Sequence, residues 1–185
     1  MEVVILQHPL EVHHAKGSAR LLHLSLAGSR MVTGEVFVES ELQTLLDGNA
    51  GEQKKRAVLL YPDSAEEKSL GLARPPVFDA AWLLRPAELR LIILDGTWRK
   101  SRKMLYQNPL LQQLPRFALR DTAPSRYLIR KAHAPNQLST LEATCLALMQ
   151  ADPAPEKYTA LLYAFEGFVD QQIATEASRK ATKIN

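Results

Sequence analysis

The sequence predicts an α/β domain, a mostly parallel sheet flanked by helices. Two features lead there. Short runs such as Leu91 to Leu94 are apolar throughout, as strands covered on both faces are. Segments with helical spacing of apolar residues lie between such runs, and that alternation is the pattern of parallel sheets. With 185 residues, 46% of them hydrophobic, the chain suits a single compact core. No repeat, low-complexity tract or second domain interrupts it.

The elements follow in chain order. Val3 to Leu6 reads as a buried strand ended by His8-Pro9. Ser18 to Leu26 reads as a helix, since its leucines do not alternate with polar residues. Gly28 and Gly34 punctuate the next segment, and Val36 to Val38 is a further short apolar piece. DGNAGEQKKR, residues 47–56, is a polar surface loop. Ala57 to Tyr61 is a strand stopped by Pro62, and the prolines of residues 73–86 break any long helix. Leu91 to Leu94 is the next strand. Trp98 to Asn108 divides cleanly as a helix: Trp98, Ser101, Met104 and Leu105 share one face, while Arg99, Lys100, Arg102, Lys103 and Gln107 spread over the other. Pro109 ends it. Short strands follow around Phe117 and from Tyr127 to Ile129. Ser139 and Glu142 have capping-box spacing. The last helix places Tyr158, Leu161, Leu162, Phe165, Phe168 and Val169 on one stripe.

Composition excludes several classes. The lone cysteine, Cys145, allows no internal disulfide and no multi-cysteine zinc cluster, and its spacing from Leu141 and Leu148 assigns it to the core. No signal peptide or membrane-length apolar run is present, so the expected compartment is the cytoplasm, with no membrane partner. His13 and His14 are adjacent, cannot share a helix face and have no HExxH pattern around them, so no structural metal is expected. Walker and dinucleotide fingerprints are missing, and Ser18 and Ser139 lack a nucleophile elbow.

The functional signal sits at Asp95-Gly96-Thr97-Trp98. In an open parallel sheet, ligands collect beyond the carboxyl ends of the strands, and these residues follow a predicted strand directly. Gly96 permits a close backbone approach or a positive φ. The Asp95 carboxylate either caps the next helix or faces a ligand, and the pattern leaves both open. Trp98 shares the apolar face with Met104 and Leu105, which assigns it to core packing. The net charge is only +3, but its distribution is uneven. From Gly96 to Leu138 the bases are Arg99, Lys100, Arg102, Lys103, Arg116, Arg120, Arg126, Arg130 and Lys131, with Asp121 the single acid. A phosphate-binding surface and a solvated helix face both fit the first four. The continuing excess fits a phosphate-binding surface better.

The sequence resembles the DTW-domain family, whose name matches Asp95-Gly96-Thr97-Trp98 in its D-G-T-W form. The likeness runs in order through LQHPLEVHHAKGSARLLHLSL, LLYPDSA, LDGTWRKSRKML, LPRFAL, SRYLIRKA and LSTLEA. The resemblance implies a fold related to the SPOUT superfamily, with a C-terminal knot. It implies transfer of the 3-amino-3-carboxypropyl group of S-adenosylmethionine to N3 of a uridine in tRNA, releasing 5′-methylthioadenosine; a related branch modifies small-subunit ribosomal RNA. The alternatives are an S-adenosylmethionine-dependent RNA methyltransferase and a non-catalytic RNA-binding domain. Many relatives carry a cysteine-rich segment ahead of the shared region, whereas here a single DTW domain over residues 1–185 is expected, without that segment.

Residue roles follow from the same resemblance. Asp95 is the catalytic candidate, as base or orienting acceptor. Leu60, Tyr61, Pro62, Leu94, Asp95, Gly96, Thr97, Trp98, Leu128 and Leu138 are expected around the S-adenosylmethionine donor, with Ser139 and Thr140 near its methionyl end. Arg99, Lys100, Arg102, Lys103, Arg126, Arg130 and Lys131 are the candidates for tRNA phosphates.

Overall fold

The computed structural model of the chain describes residues 1–13, 17–49, 51, 53–62, 74–119 and 138–182. Strands β1 (Glu2–Gln7), β2 (Arg30–Thr33), β3 (Arg56–Leu60), β4 (Leu89–Asp95) and β5 (Arg116–Phe117) form one sheet in the order β2-β1-β4-β3-β5. Every pairing among the described residues is parallel. The helices are α1 (Ser18–Ser25), α2 (Glu39–Asp47), α3 (Trp98–Gln107), α4 (Pro109–Gln112), α5 (Thr140–Met149) and α6 (Glu156–Thr182).

Alternation along the strands sends successive side chains to opposite faces, and each face has its own helical layer. Val3, Ile5, Leu91 and Ile93 pack with Leu22 of α1, Leu141, Cys145 and Leu148 of α5, and Phe165 and Val169 of α6. Val4, Leu6, Ile92 and Leu94 pack with Leu42 and Leu46 of α2, Met104 and Leu105 of α3, and Leu111 of α4. Covering on both faces is why β1 and β4 read as unbroken apolar runs. Between α5 and α6, Asp152 accepts from the Ala154 N–H and the Tyr158 hydroxyl and pairs with Lys157. Those bonds, that of Lys157 foremost, hold its carboxyl down at about 2.

The sequence reading missed β2 and α2. β2 lies at the sheet edge and is only half-buried, so it shows no apolar run. The short apolar piece Val36 to Val38 lies in the loop before α2, where Val36 and Val38 are exposed. In residues 73–86 the chain makes short 3-10 turns at Ala80–Leu84 and from Pro86 onward, in keeping with its prolines. The expected strand from Tyr127 to Ile129 lies outside the described residues. Residues 120–137, between β5 and α5, also lie outside them.

β4 begins two positions earlier than the apolar run suggests, because its second residue is a wholly buried arginine. Arg90 Nη1 donates to the carbonyls of Leu45 and Leu46 at 3.1 and 2.9 Å, and Nη2 donates to Glu2 Oε2 at 2.8 Å. Those carbonyls belong to the last turn of α2, where the helix offers them no internal partner. Glu2 also pairs with Arg30 and Lys55. Burial pushes the Glu2 carboxyl up, but hydrogen bonds from Arg90 and Lys55 outweigh it and hold the group below its ordinary 4.5.

Glu2→Gln removes the anion beside a buried guanidinium, although the amide oxygen can still accept a hydrogen bond from it. The expected loss of stability is about 3 kcal/mol at neutral pH, measured by urea unfolding. The lowered carboxyl pKa means that the contribution of Glu2 is complete above 4.5 and is lost as pH falls through the folded-state value. The gap between wild type and variant should therefore close in acid. A constant gap would assign the loss to packing.

Candidate functional site

Asp95 is the last residue of β4 and is 6% exposed. Gln7 Nε2 donates to its Oδ2 at 3.0 Å, and Thr140 Oγ1 donates to its Oδ1 at 2.7 Å. A carboxylate offers roughly four acceptor positions, so room remains on both oxygens. The capping role open to Asp95 in the sequence belongs to Thr97, whose hydroxyl accepts from the Lys100 N–H at 3.4 Å. Asp95 is instead a junction of β1, β4 and α5.

The α5 end of that junction is firmly built. Ser139 Oγ accepts from the Glu142 N–H at 3.2 Å, and Glu142 Oε2 accepts from the Ser139 N–H at 2.7 Å. The expected capping box is complete, with Ser139 buried and Thr140 as the first helical residue.

The loop after β1 sits against Asp95 and α3. His8 N–H donates to the Asp95 carbonyl at 2.9 Å. His8 Nδ1 accepts from the Leu10 N–H at 3.1 Å, which places the ring proton on Nε2, and Nε2 donates to Glu35 Oε2 at 2.7 Å. Lys103 Nζ lies 2.7 Å from the other Glu35 oxygen. Hydrogen bonds from Lys103 and then His8 hold the Glu35 carboxyl below its ordinary value. Lys100 Nζ pairs with the buried Glu11 at 2.9 Å. Asn108 completes the tie: its amide donates to Glu35 O and Met104 O and accepts from the Phe37 N–H.

Gly96 is needed for space, as its φ is not positive. A Cβ there would stand 3.1 Å from Lys100 Cβ, 3.5 Å from the Ser101 nitrogen and 3.6 Å from His8 Cβ. The glycine lets the His8 loop and the first turn of α3 close over the end of β4.

Trp98 corrects the core assignment. The residue is 42% exposed, and its ring centre lies 5.9 Å from that of Tyr61 with the planes at 77°. Trp98 is the first residue of α3, nearly two turns from the sheet contacts of Met104 and Leu105, so sharing their helical face does not bury it. The Arg116 guanidinium stands 5.3 Å from the Tyr61 ring centre.

Of the expected donor residues, Leu60, Tyr61, Pro62, Leu94, Asp95, Gly96, Thr97, Trp98, Leu138, Ser139 and Thr140 all gather at the carboxyl edge of the sheet. Leu128 lies outside the described residues. On α3, Arg99, Arg102 and Lys103 are exposed, whereas Lys100 is half-buried against Glu11. Arg126, Arg130 and Lys131 also lie outside the described residues. Arg116, part of the same basic stretch, is buried in β5. Burial pushes the Cys145 thiol up to about 12, consistent with its core position. Among the described residues, no cluster of His, Cys, Asp and Glu has the makings of a metal site, and no helix is long and apolar enough to cross a membrane.

Sequence reasoning gave no role to Gln7, His8, Glu11, Glu35 or Asn108. Only Gln7 and His8 carry a local signal, polar residues placed directly after a buried apolar run. The others act through partners distant along the chain.

The chain is similar to known proteins over most of its length. The family model of the DTW domain matches residues 1–173. The tRNA-uridine aminocarboxypropyltransferase 2 of Drosophila melanogaster is 30% identical over 162 residues, covering 82% of this chain and 57% of that protein. Proteins of the same name from Macaca fascicularis and Mus musculus are 29% and 28% identical over 151 residues, each covering 78% of this chain and 45% of the relative. The chain thus spans about half the length of the curated relatives it matches. No solved structure gives a significant match.

Gly96→Ala tests the close approach at the end of β4. Because the new methyl meets the base of Lys100 rather than a flexible tip, the loss of stability should be about 1 to 3 kcal/mol, read as a lowered Tm. An unchanged Tm would show that the His8 loop and α3 yield freely.

Proposed function

The chain belongs to the DTW-domain family, and on that premise we propose that it transfers the 3-amino-3-carboxypropyl group of S-adenosylmethionine to N3 of a uridine in tRNA, releasing 5′-methylthioadenosine. The observation that carries the reading is the buried Asp95 carboxylate at the carboxyl end of a central strand, with acceptor capacity to spare. The names of the relatives support the same reaction. The proposal extends to a SPOUT-type arrangement with a C-terminal knot, which the parallel sheet supports.

The residues present suit the donor. Asp95 offers negative charge to a sulfonium, and the exposed part of Trp98 offers an aromatic surface beside it. Tyr61, Thr97, Ser139 and the other edge residues complete the proposed donor site. When bound, the donor supplies an electrophilic carbon next to a sulfonium.

Asp95 accepts a hydrogen bond from uridine N3–H and orients that nitrogen, taking the proton as N3 bonds to carbon. Burial excludes competing water from the carboxylate. Holding N3 in line contributes more than proton abstraction alone. Arg99 and Arg102, exposed on α3, are the proposed phosphate contacts.

Asp95→Asn keeps the size of the side chain and loses its charge. Product formation should fall at least about tenfold, with circular dichroism and Tm recorded alongside. Purified protein is incubated with bulk tRNA and donor labelled in either the carboxyl or the methyl group. Carboxyl label alone in tRNA supports the transfer. Methyl label alone selects a methyltransferase, and neither label despite RNA binding selects a binding module. An active, equally stable Asp95→Asn protein would sink the catalytic role.

The double variant Arg99→Gln with Arg102→Gln should weaken tRNA binding and lower the slope of log affinity against log salt by up to about two units. Lys103→Gln should lower it less and reduce Tm, because Lys103 is paired with Glu35. Wild-type affinity and slope in the double variant would move the RNA to another surface.

A further inference from the structure

A carboxylate on a single donor swings freely about its last torsion, which is broad for aspartate. Asp95 has a donor on each oxygen, and the donors come from different elements. Gln7, 3% exposed, lies opposite Asp95 in the β1–β4 register and shares its sheet face. Thr140 reaches the other oxygen from the first turn of α5, whose start is set by the Ser139–Glu142 capping box. Each bond spans a long stretch of chain, 88 residues for Gln7 and 45 for Thr140, so neither is a by-product of local geometry.

We propose that Gln7 and Thr140 are positioning residues of the transfer: together they fix the plane of the Asp95 carboxylate and the acceptor positions left for the uridine. The inference rests on the transferase reading above. It also changes the expectation for Thr140, whose hydroxyl proton is committed to Asp95.

Gln7→Leu and Thr140→Val each remove one donor at nearly constant volume, while Thr140→Ser keeps the hydroxyl. Transfer of carboxyl-labelled donor to tRNA is measured for each, with Tm alongside. A positioning role predicts kcat down about tenfold in both, donor KM within about twofold of wild type, and recovery in Thr140→Ser. In an Asp95→Asn background neither change should lower the residual rate further, since both act through the lost carboxylate. A merely structural role would lower Tm and rate together and persist in that background.

The two positions are independent, so failure of one variant to fold leaves the other to decide. Thr140→Val with raised donor KM and wild-type kcat would make Thr140 a direct donor contact and overturn the proposal. Variants as active as a working wild type overturn the positioning alone. A wild type that transfers no carboxyl label overturns the transferase reading and this inference with it.

Discussion

The pairing of β1 with β4 is bracketed by polar partners, and the molecule is organised around them. Glu2 lies opposite Arg90 at the first rung and Gln7 opposite Asp95 at the last, each pair joined by a side-chain hydrogen bond. Between them run only apolar residues, Val3 to Leu6 against Leu91 to Leu94. An apolar ladder alone specifies register weakly against a slip of two, since such a slip preserves the buried faces. The polar ends remove that freedom. Any slip parts a buried arginine or a buried aspartate from its partner, and an unpartnered buried charge costs several kcal/mol.

The same two residues tie β4 to both helical layers. Arg90 and Asp95 are five positions apart on a strand, so they point to opposite faces. Arg90 reaches the end of α2 on one side, and Asp95 reaches the start of α5 on the other. Thr140 also brings the positive end of the α5 dipole towards the carboxylate, a favourable placement for an anion. Site geometry and fold geometry therefore share bonds.

Much of this was legible in sequence where burial leaves a local trace. The apolar runs marked β1, β3 and β4, the division of α3 was visible in its charges, and Ser139 with Glu142 announced the start of α5. The edge strand β2 was not legible, because half-burial leaves a mixed pattern. Arg90 hid the start of β4 because its partners, Glu2 and the end of α2, are remote in sequence. At the site, Asp95 was marked by its place after a strand, but Thr140 was grouped with it only through family resemblance. Trp98 failed for another reason: helical periodicity reports a face and says nothing of how far along its axis a helix stays in contact.

The basic excess after Gly96 shows how much a count of charges conceals. Arg116 points inward beside Tyr61, while Lys100 and Lys103 face acids from the loops after β1 and β2. These lysines are not equally lost to a polyanion. Lys103 is exposed and Glu35 partly so, and an ion pair at the surface is weak, so phosphate can compete for Lys103, although the released Glu35 then repels it. Glu11 is buried, and Lys100 is the less exposed lysine, so that pair is screened less and is harder to open. Attraction for a polyanion is therefore graded between the two lysines, greater at Lys103 than at Lys100. Were the outer face of the helix to meet phosphate, as proposed, Lys100 would still keep α3 seated on the loop carrying His8. The His8 backbone in turn holds the carbonyl of Asp95, so engagement at the surface need not disturb the carboxylate beneath.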